Sequence, residues 1–135
     1  MSVNPDIQSR SDIEKLVKVF YEKILDDVLL APLFLEVANI DLSKHLPIQY
    51  DFWESVLFQV GKYKRDTLAA HLELHQLHRL NATHFDRWLA LFTETIDDFF
   101  EGQKATQAKE RALTIAAFIK TKINHLDQRR LELNN

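Results

Sequence analysis

An all-α fold is what this chain predicts, on three observations. Only two glycines, Gly61 and Gly102, occur in 135 residues. Tight hairpins need Gly or Asn at positive φ, so a fold of many β-hairpins would lack its turn residues. Leu, Ala, Glu and Lys, all good helix formers, are plentiful. Apolar residues recur at helical spacing in one stretch after another, each bounded by a capping or breaking residue.

The length is one domain's worth, enough to bury about two thirds of the surface that the unfolded chain exposes. There is no cysteine, which removes disulfides, thiolate zinc sites and iron–sulfur clusters and suits a reducing compartment. The net charge is -3, with acids and bases interspersed. No basic stripe offers itself to a phosphate backbone, so no nucleic-acid partner is expected. No apolar run reaches the ~18 residues of a membrane span, so no membrane association is expected. The start, MSVNPDIQSRSD, lacks the apolar core of a signal peptide. The expected location is the cytoplasm.

The elements follow in order. Residues 1–10 read as a flexible leader. Ser11-Asp-Ile-Glu14 has the form of a capping box, so the first helix is expected to open at Ser11. Ile13, Leu16, Val17, Phe20, Ile24 and Leu25 form its stripe, and it should stop near Asp27, before Pro32. APLF, ending at Phe34, is a corner. The second helix lies in DLSKHLPIQYDFWESVLFQV. Pro47 lacks an N–H, which predicts regular helix from close to that residue. GKYKRD, 61–66, is a polar loop, and Asp66 can cap a short helix over 67–78. Thr83 is the expected cap of a long helix with Phe85, Trp88, Leu89, Phe92, Ile96 and Phe99 on its stripe and Gly102 at its end. A last helix, about Thr106 to Leu126, carries Ala112, Ile115, Ala116, Ile119 and Ile123 inward. The expected organisation is one helical domain over 11–126, between the leader and a frayed tail, 127–135.

Two features bear on function. The first is AAHLELHQLHR, 69–79, where His71, His75 and His78 sit on neighbouring turns of one helical face. Neutral imidazole is the commonest metal ligand. The spacing is not HExxH, because Glu73 follows His71 by two residues. No Glu-x-x-His pair of a di-iron bundle is present, and no GxSxG. Weak histidine-bound zinc stays open, and so does a single histidine on haem iron. The second feature is the aromatic supply, with Phe20, Tyr21, Phe34, Tyr50, Phe52, Trp53, Phe85, Trp88 and Phe92 spread over separate elements. Such a set is a core in the usual case. It can also wall a flat apolar cofactor, with Tyr21 and Trp88 donating from O–H and N–H while burying their rings.

The ordered series VFYEKI (19–24), APLF (31–34), HLPIQYDFW (45–53), AAHLEL (69–74), HFDRWLALF (84–92) and RALTIA (111–116) resembles the truncated haemoglobins, most closely their third group. The resemblance spans about Ser11 to Ile123. It implies a globin-like, two-over-two α-helical sandwich around one haem b. By position it implies His71 as the proximal iron ligand and Tyr21, His45 and Trp88 as distal residues, with Phe34 packing on the haem. Phe52 falls among the residues expected to line that cofactor. His75 and His78 are then exposed or near the haem edge, and His84 is a first-turn residue of its helix.

The chain departs from the family in two places. Gln49 stands where the family usually has an apolar side chain, one turn after His45. Lys64-Arg65-Asp66-Thr67 replaces the usual Gly-x-Pro before the proximal helix. Lys62, Tyr63, Lys64 and Arg65 are candidate partners of the haem propionates, against the reading of a solvated loop. The resemblance implies binding of O2, CO or NO at ferrous iron. A strongly donating pocket points to NO dioxygenation or peroxide chemistry, with an external reductase, rather than to bulk oxygen transport. The readings from another class are a cofactor-free helical interaction module and a small zinc-binding protein.

Overall fold

A computed structural model describes residues 3–37, 41–59 and 80–133 of the chain. Four helices carry the described part: α1 (Arg10–Asp26), α2 (Leu42–Phe58), α3 (Ala82–Phe99) and α4 (Gln103–Leu133). A single wide helical turn, Leu33–Val37, makes the corner between α1 and α2. There is no strand among the described residues. Helix α1 pairs with α2 and α3 with α4, while α1 on α3 and α2 on α4 close the two pairs on each other.

The stripes read from sequence are the buried faces. Ile13, Leu16, Val17, Phe20, Tyr21 and Ile24 are buried on α1. Trp53 and Leu57 on α2, Phe92 and Ile96 on α3, and Ala105, Ala108 and Ala112 on α4 join them in the main core. The small alanines let α4 approach closely. A second cluster, Leu33, Leu80, Phe85, Ala116, Ile119 and Ile123, fills the space between α3 and the middle of α4. Phe34 and Trp88 pack against both clusters. Phe92 is fully buried, and burying such a side chain contributes about 1.5–3 kcal/mol.

The helix ends differ from expectation, each for a local reason. Helix α1 is capped two residues before Ser11, because Ser9 is the extended residue, at φ -155°. The Ser9 hydroxyl accepts from the Asp12 amide at 3.4 Å, and the Asp12 carboxylate accepts from the Gln8 amide at 2.8 Å. Helix α2 opens at Leu42 under an Asp41 cap and runs through Pro47. The carbonyl that the proline ring deprives of a donor belongs to exposed Ser43, which water can serve. Asn81, not Thr83, caps α3: its side chain accepts from Thr83 N at 2.9 Å and His84 N at 3.3 Å. His84 returns the contact, its Nδ1 accepting from Asn81 N at 3.1 Å. Helix α4 starts earlier than Thr106 and continues to Leu133, through the stretch expected to fray.

The leader is tied to the fold at Pro5, Asp6 and Ile7. Ile7 is 2% exposed in the main core. The Glu101 amide donates to the Pro5 carbonyl at 2.9 Å. Asp6 supplies the N-terminal cap of α4 from outside the helix, its carboxylate accepting from Lys104 N and Ala105 N, each at 2.9 Å. Gly102 adopts φ +146°, and a Cβ there would meet Asp6 Cγ at 2.5 Å. Glycine is therefore needed both for the backbone angle and for the approach of the cap. It serves the start of α4 more than the end of α3, whose C-terminal cap is Phe100. Lys104 then reaches back, its Nζ donating at 2.6 Å to the carbonyl of Leu57 in the last turn of α2.

Burial alone would raise the Asp6 pKa, but the amides of Lys104, Ala105 and Ile7 outweigh it and hold it below the ordinary value of 3.8. A depressed carboxylate stabilises the fold above its unfolded pKa, and the contribution is lost as pH falls through the folded value. Asp6→Ala is expected to cost about 0.5–2 kcal/mol at neutral pH, with the gap to the parent narrowing as denaturation is repeated at pH below 4. Gly102→Ala should cost of order 1–3 kcal/mol in urea unfolding, because the added methyl evicts the cap and strains the backbone.

Candidate functional site

Three side chains that are far apart in sequence, Tyr21, Phe34 and His45, meet from three elements, and a fourth, Trp88, joins them through Phe20. Tyr21 comes from the inner face of α1 and Phe34 from the corner. His45 comes from the first turns of α2, and Trp88 from the second turn of α3. The Tyr21 hydroxyl and His45 Nε2 are hydrogen-bonded at 2.7 Å, with the direction set by the imidazole tautomer. The Tyr21 ring meets Phe34 edge-on at 6.0 Å and His45 edge-on at 5.2 Å. Phe20, the residue before Tyr21, meets Trp88 edge-on at 5.7 Å. Phe20 thus links the tyrosine to the tryptophan through ring edges.

The local sequence explains how each is held. Tyr21 follows Val17 by one turn on the buried stripe, so its ring is in the core while its oxygen reaches α2. His45 donates its own amide to the Asp41 carbonyl at 2.9 Å, so the cap of α2 sets its position. The corner carrying Phe34 is held by Asp27. One carboxylate oxygen accepts from Leu29 N and Leu30 N, at 3.2 and 3.0 Å. The other accepts from Arg87 Nε at 2.6 Å. Arg87 precedes Trp88, so a single carboxylate ties the corner to the helix that presents the indole. Burial works against ionisation of Asp27, yet Arg87 and the two amides keep its pKa below the usual range. Neither Asp27 nor Arg87 stands out in the sequence. A pairing across 60 positions has no periodic signal.

The other sequence candidates fall as follows. Gln49 lies one turn after His45 on α2 and is half-buried, but the Tyr21 hydroxyl is partnered by His45. Phe52 is half-buried and turns its ring toward Trp53, 5.1 Å away edge-on, as part of the core packing. His71 and Tyr63 lie outside the described residues, as do His75, His78 and the 61–66 loop. Among the described residues no group of three His, Cys, Asp or Glu could hold a metal ion. None of the helices formed by the described residues is long and apolar enough to cross a membrane.

Chemically, Tyr21 and Trp88 offer an O–H and an N–H donor beside the Phe34 and Phe20 rings. Desolvation pushes the Tyr21 phenol well above its ordinary pKa of 10.0, so it stays protonated. Such a group of side chains can orient a small polar ligand.

A family model described as Bacterial-like globin matches residues 5–124. The chain is a bacterial-like globin. Within that family it is similar to the group 3 truncated hemoglobin ctb of Campylobacter jejuni, with 28% identity over 112 residues, 81% of this chain and 86% of the relative. The crystal structure of the group III truncated hemoglobin from Campylobacter jejuni superposes with a TM-score of 0.78 at 26% identity, covering 90% of this globin and 95% of that chain. The structure of Chlamydomonas reinhardtii THB1 matches with a TM-score of 0.63 at 32% identity, over 84% of this globin and 88% of that chain. The truncated-globin fold expected from the sequence is therefore found. The family implies binding of ligands at haem.

The burial of Tyr21 has a direct check. A group whose pKa is raised on folding contributes stability below its unfolded pKa and loses it as pH rises toward the folded value. Tyr50 is also raised, by desolvation first and then by Glu14, against Arg10. In an alkaline absorbance titration, the Tyr21 phenolate should appear only together with loss of helical circular dichroism. A Tyr21→Phe variant should lack that late step. A phenolate that forms reversibly near pH 10 with the fold intact and vanishes in Tyr21→Phe would show the hydroxyl to be wet.

Proposed function

We propose that this globin holds one haem b through His71 and uses Tyr21 and Trp88 to retain polarised diatomic ligands, for NO dioxygenation or peroxide chemistry rather than bulk oxygen transport. The observation that carries this reading is the buried Tyr21 hydroxyl bonded to His45 at 2.7 Å, within aromatic walls that include Phe34 and lead through Phe20 to Trp88. The donor set fits the group: O–H and N–H donors at Tyr21 and Trp88 would stabilise a polarised diatomic ligand without an ion of their own. When bound, haem b supplies a ferrous iron that takes O2, CO or NO.

The chain's own residues supply the rest. The AAHLEL segment assigns His71 to the iron by its likeness to the family, and an acceptor for its second ring nitrogen would set the ring's orientation. Phe34 would pack on the macrocycle and exclude water. Tyr21 and Trp88 donate to the ligand. His45 either accepts the Tyr21 proton or donates to its oxygen, and so sets how free that phenol is. Gln49 is a reserve donor on the same face as His45. Phe52 would line the cofactor's surround, and Tyr63, which lies outside the described residues, would be a partner of the propionates. Either reaction needs electrons from a separate reductase, and the cytoplasm is where we place the protein.

An absorption spectrum of the purified protein tests the core of this. A Soret band that shifts with dithionite and again with CO is the expected result. A colourless protein that takes up no added hemin would end the proposal. His71→Ala should lose or loosen the haem, whereas His75→Ala and His78→Ala should leave the spectrum unchanged. A hydrogen bond to a charged acceptor is worth about 1.5–3 kcal/mol. Tyr21→Phe should accordingly speed O2 release roughly ten- to hundredfold, read by stopped flow against CO.

A further inference from the structure

The chain has only two tryptophans, and both stack on one ring. Trp88 lies over Phe92 at 5.6 Å between centroids with the planes 5° apart. Trp53 lies over the same ring at 4.7 Å and 23°. Phe92 is fully buried, and Phe20 wedges edge-on against it at 5.0 Å, so the column cannot readily slide. One end, Trp88, is the candidate site residue that Phe20 links to Tyr21. The other, Trp53 on α2, sits beneath Phe52, a half-buried ring.

Indoles are among the side chains that most readily give up one electron. A phenyl ring is far harder to oxidise, but its π system couples two flanking indoles better than aliphatic packing would. Electron transfer falls off steeply with distance, so two indoles one ring apart are well placed to exchange an electron. Resting on the peroxide arm of the reading above, we propose that Trp53, Phe92 and Trp88 form an electron-transfer column that carries reducing equivalents from an external donor near the α2 surface to the haem pocket.

The balance is simple. Hydrogen peroxide takes two electrons and two protons and leaves as two waters. Two one-electron hydrogen donors of the phenol or ascorbate class supply them, each giving up one electron and one proton. For each electron, Trp88 is oxidised toward the pocket, Trp53 reduces Trp88 across Phe92, and the donor reduces Trp53. Both indoles end as they began. Phe92 is a bridge and never a stopping point.

The test uses the absence of cysteine. Ala90 is exposed on α3, two residues from Trp88, so the full-length Ala90→Cys protein takes a ruthenium polypyridyl photo-oxidant on its single thiol. Adding Trp53→Tyr, in a background where the three native tyrosines, Tyr21, Tyr50 and Tyr63, are phenylalanine, gives arrival at that position its own tyrosyl absorption. After a flash with an electron-accepting quencher, the indole radical should appear first and decay as the tyrosyl signal grows, with one time constant. Phe92→Leu should slow the handover, and Trp88→Phe should abolish it. A tyrosyl signal that forms equally fast without Trp88, or no handover with Trp88 and Phe92 both in place, overturns the proposal. Should Phe92→Leu fail to fold, the Trp88→Phe comparison decides. This readout needs neither peroxide nor haem, so a working column in a protein inert to peroxide would reject the peroxide reading alone.

Discussion

A phenol hydroxyl cannot be buried without a partner, and Tyr21 is where this fold meets that constraint. Leaving the oxygen unbonded would cost about 1–3 kcal/mol. Its partner comes from another helix, so α1 and α2 are locked in one relative register, with His45 at the position that can reach. Much else follows from that. Helix α2 has to begin before His45, hence the Asp41 cap upstream and the acceptance of Pro47 within the helix. The corner has to turn the chain back toward α1, hence the Asp27 carboxylate that gathers two amides and Arg87. No buried side-chain polar atom among the described residues is left unsatisfied.

The parts of the fold that rest on local periodicity were legible. The α1 and α3 stripes, and the Ala112 to Ile123 face of α4, are buried where a 3.6-residue repeat puts them, because burial of a helix face depends on spacing within a single element. Helix ends were less legible. Ser9 and Ser11, or Asn81 and Thr83, are equally good capping side chains. What separates them is which backbone is extended, and that depends on the elements on either side. Pro47 misled for a related reason: its cost inside a helix depends on whether water can reach the carbonyl it leaves without a donor.

Contacts between distant segments left no trace in the spacing. Asp6 in a polar leader looks like any solvated carboxylate, yet it caps a helix that begins nearly a hundred positions later. Gly102 looked like a stop for the helix before it, and its freedom is used by the helix after it. Of the candidate site, Tyr21, Phe34, His45 and Trp88 were singled out by resemblance to a family, and composition alone would have left them as core aromatics. Asp27 lies outside the segments that carry the resemblance, and Arg87, although inside HFDRWLALF, drew no role from it, yet the pair holds two of them in place. The packing of Trp53 and Trp88 on one phenylalanine was equally out of reach, since it joins two helices through a third residue.

The candidate pocket and the core are not separate structures here. Trp88 packs on both hydrophobic clusters, stacks on Phe92 and takes the edge of Phe20, which also meets Tyr21. A side chain held by that many rings has few rotamers open to it. Donors aimed by a rigid surround stabilise developing charge without first having to reorganise. The same rigidity would favour electron transfer along the column, since the coupling between rings depends on spacing and tilt that thermal motion would otherwise average down. Packing that stabilises the fold therefore also sets the orientation of the groups on which any chemistry in the pocket would draw, and a change at Phe92 or Phe20 would be felt in both.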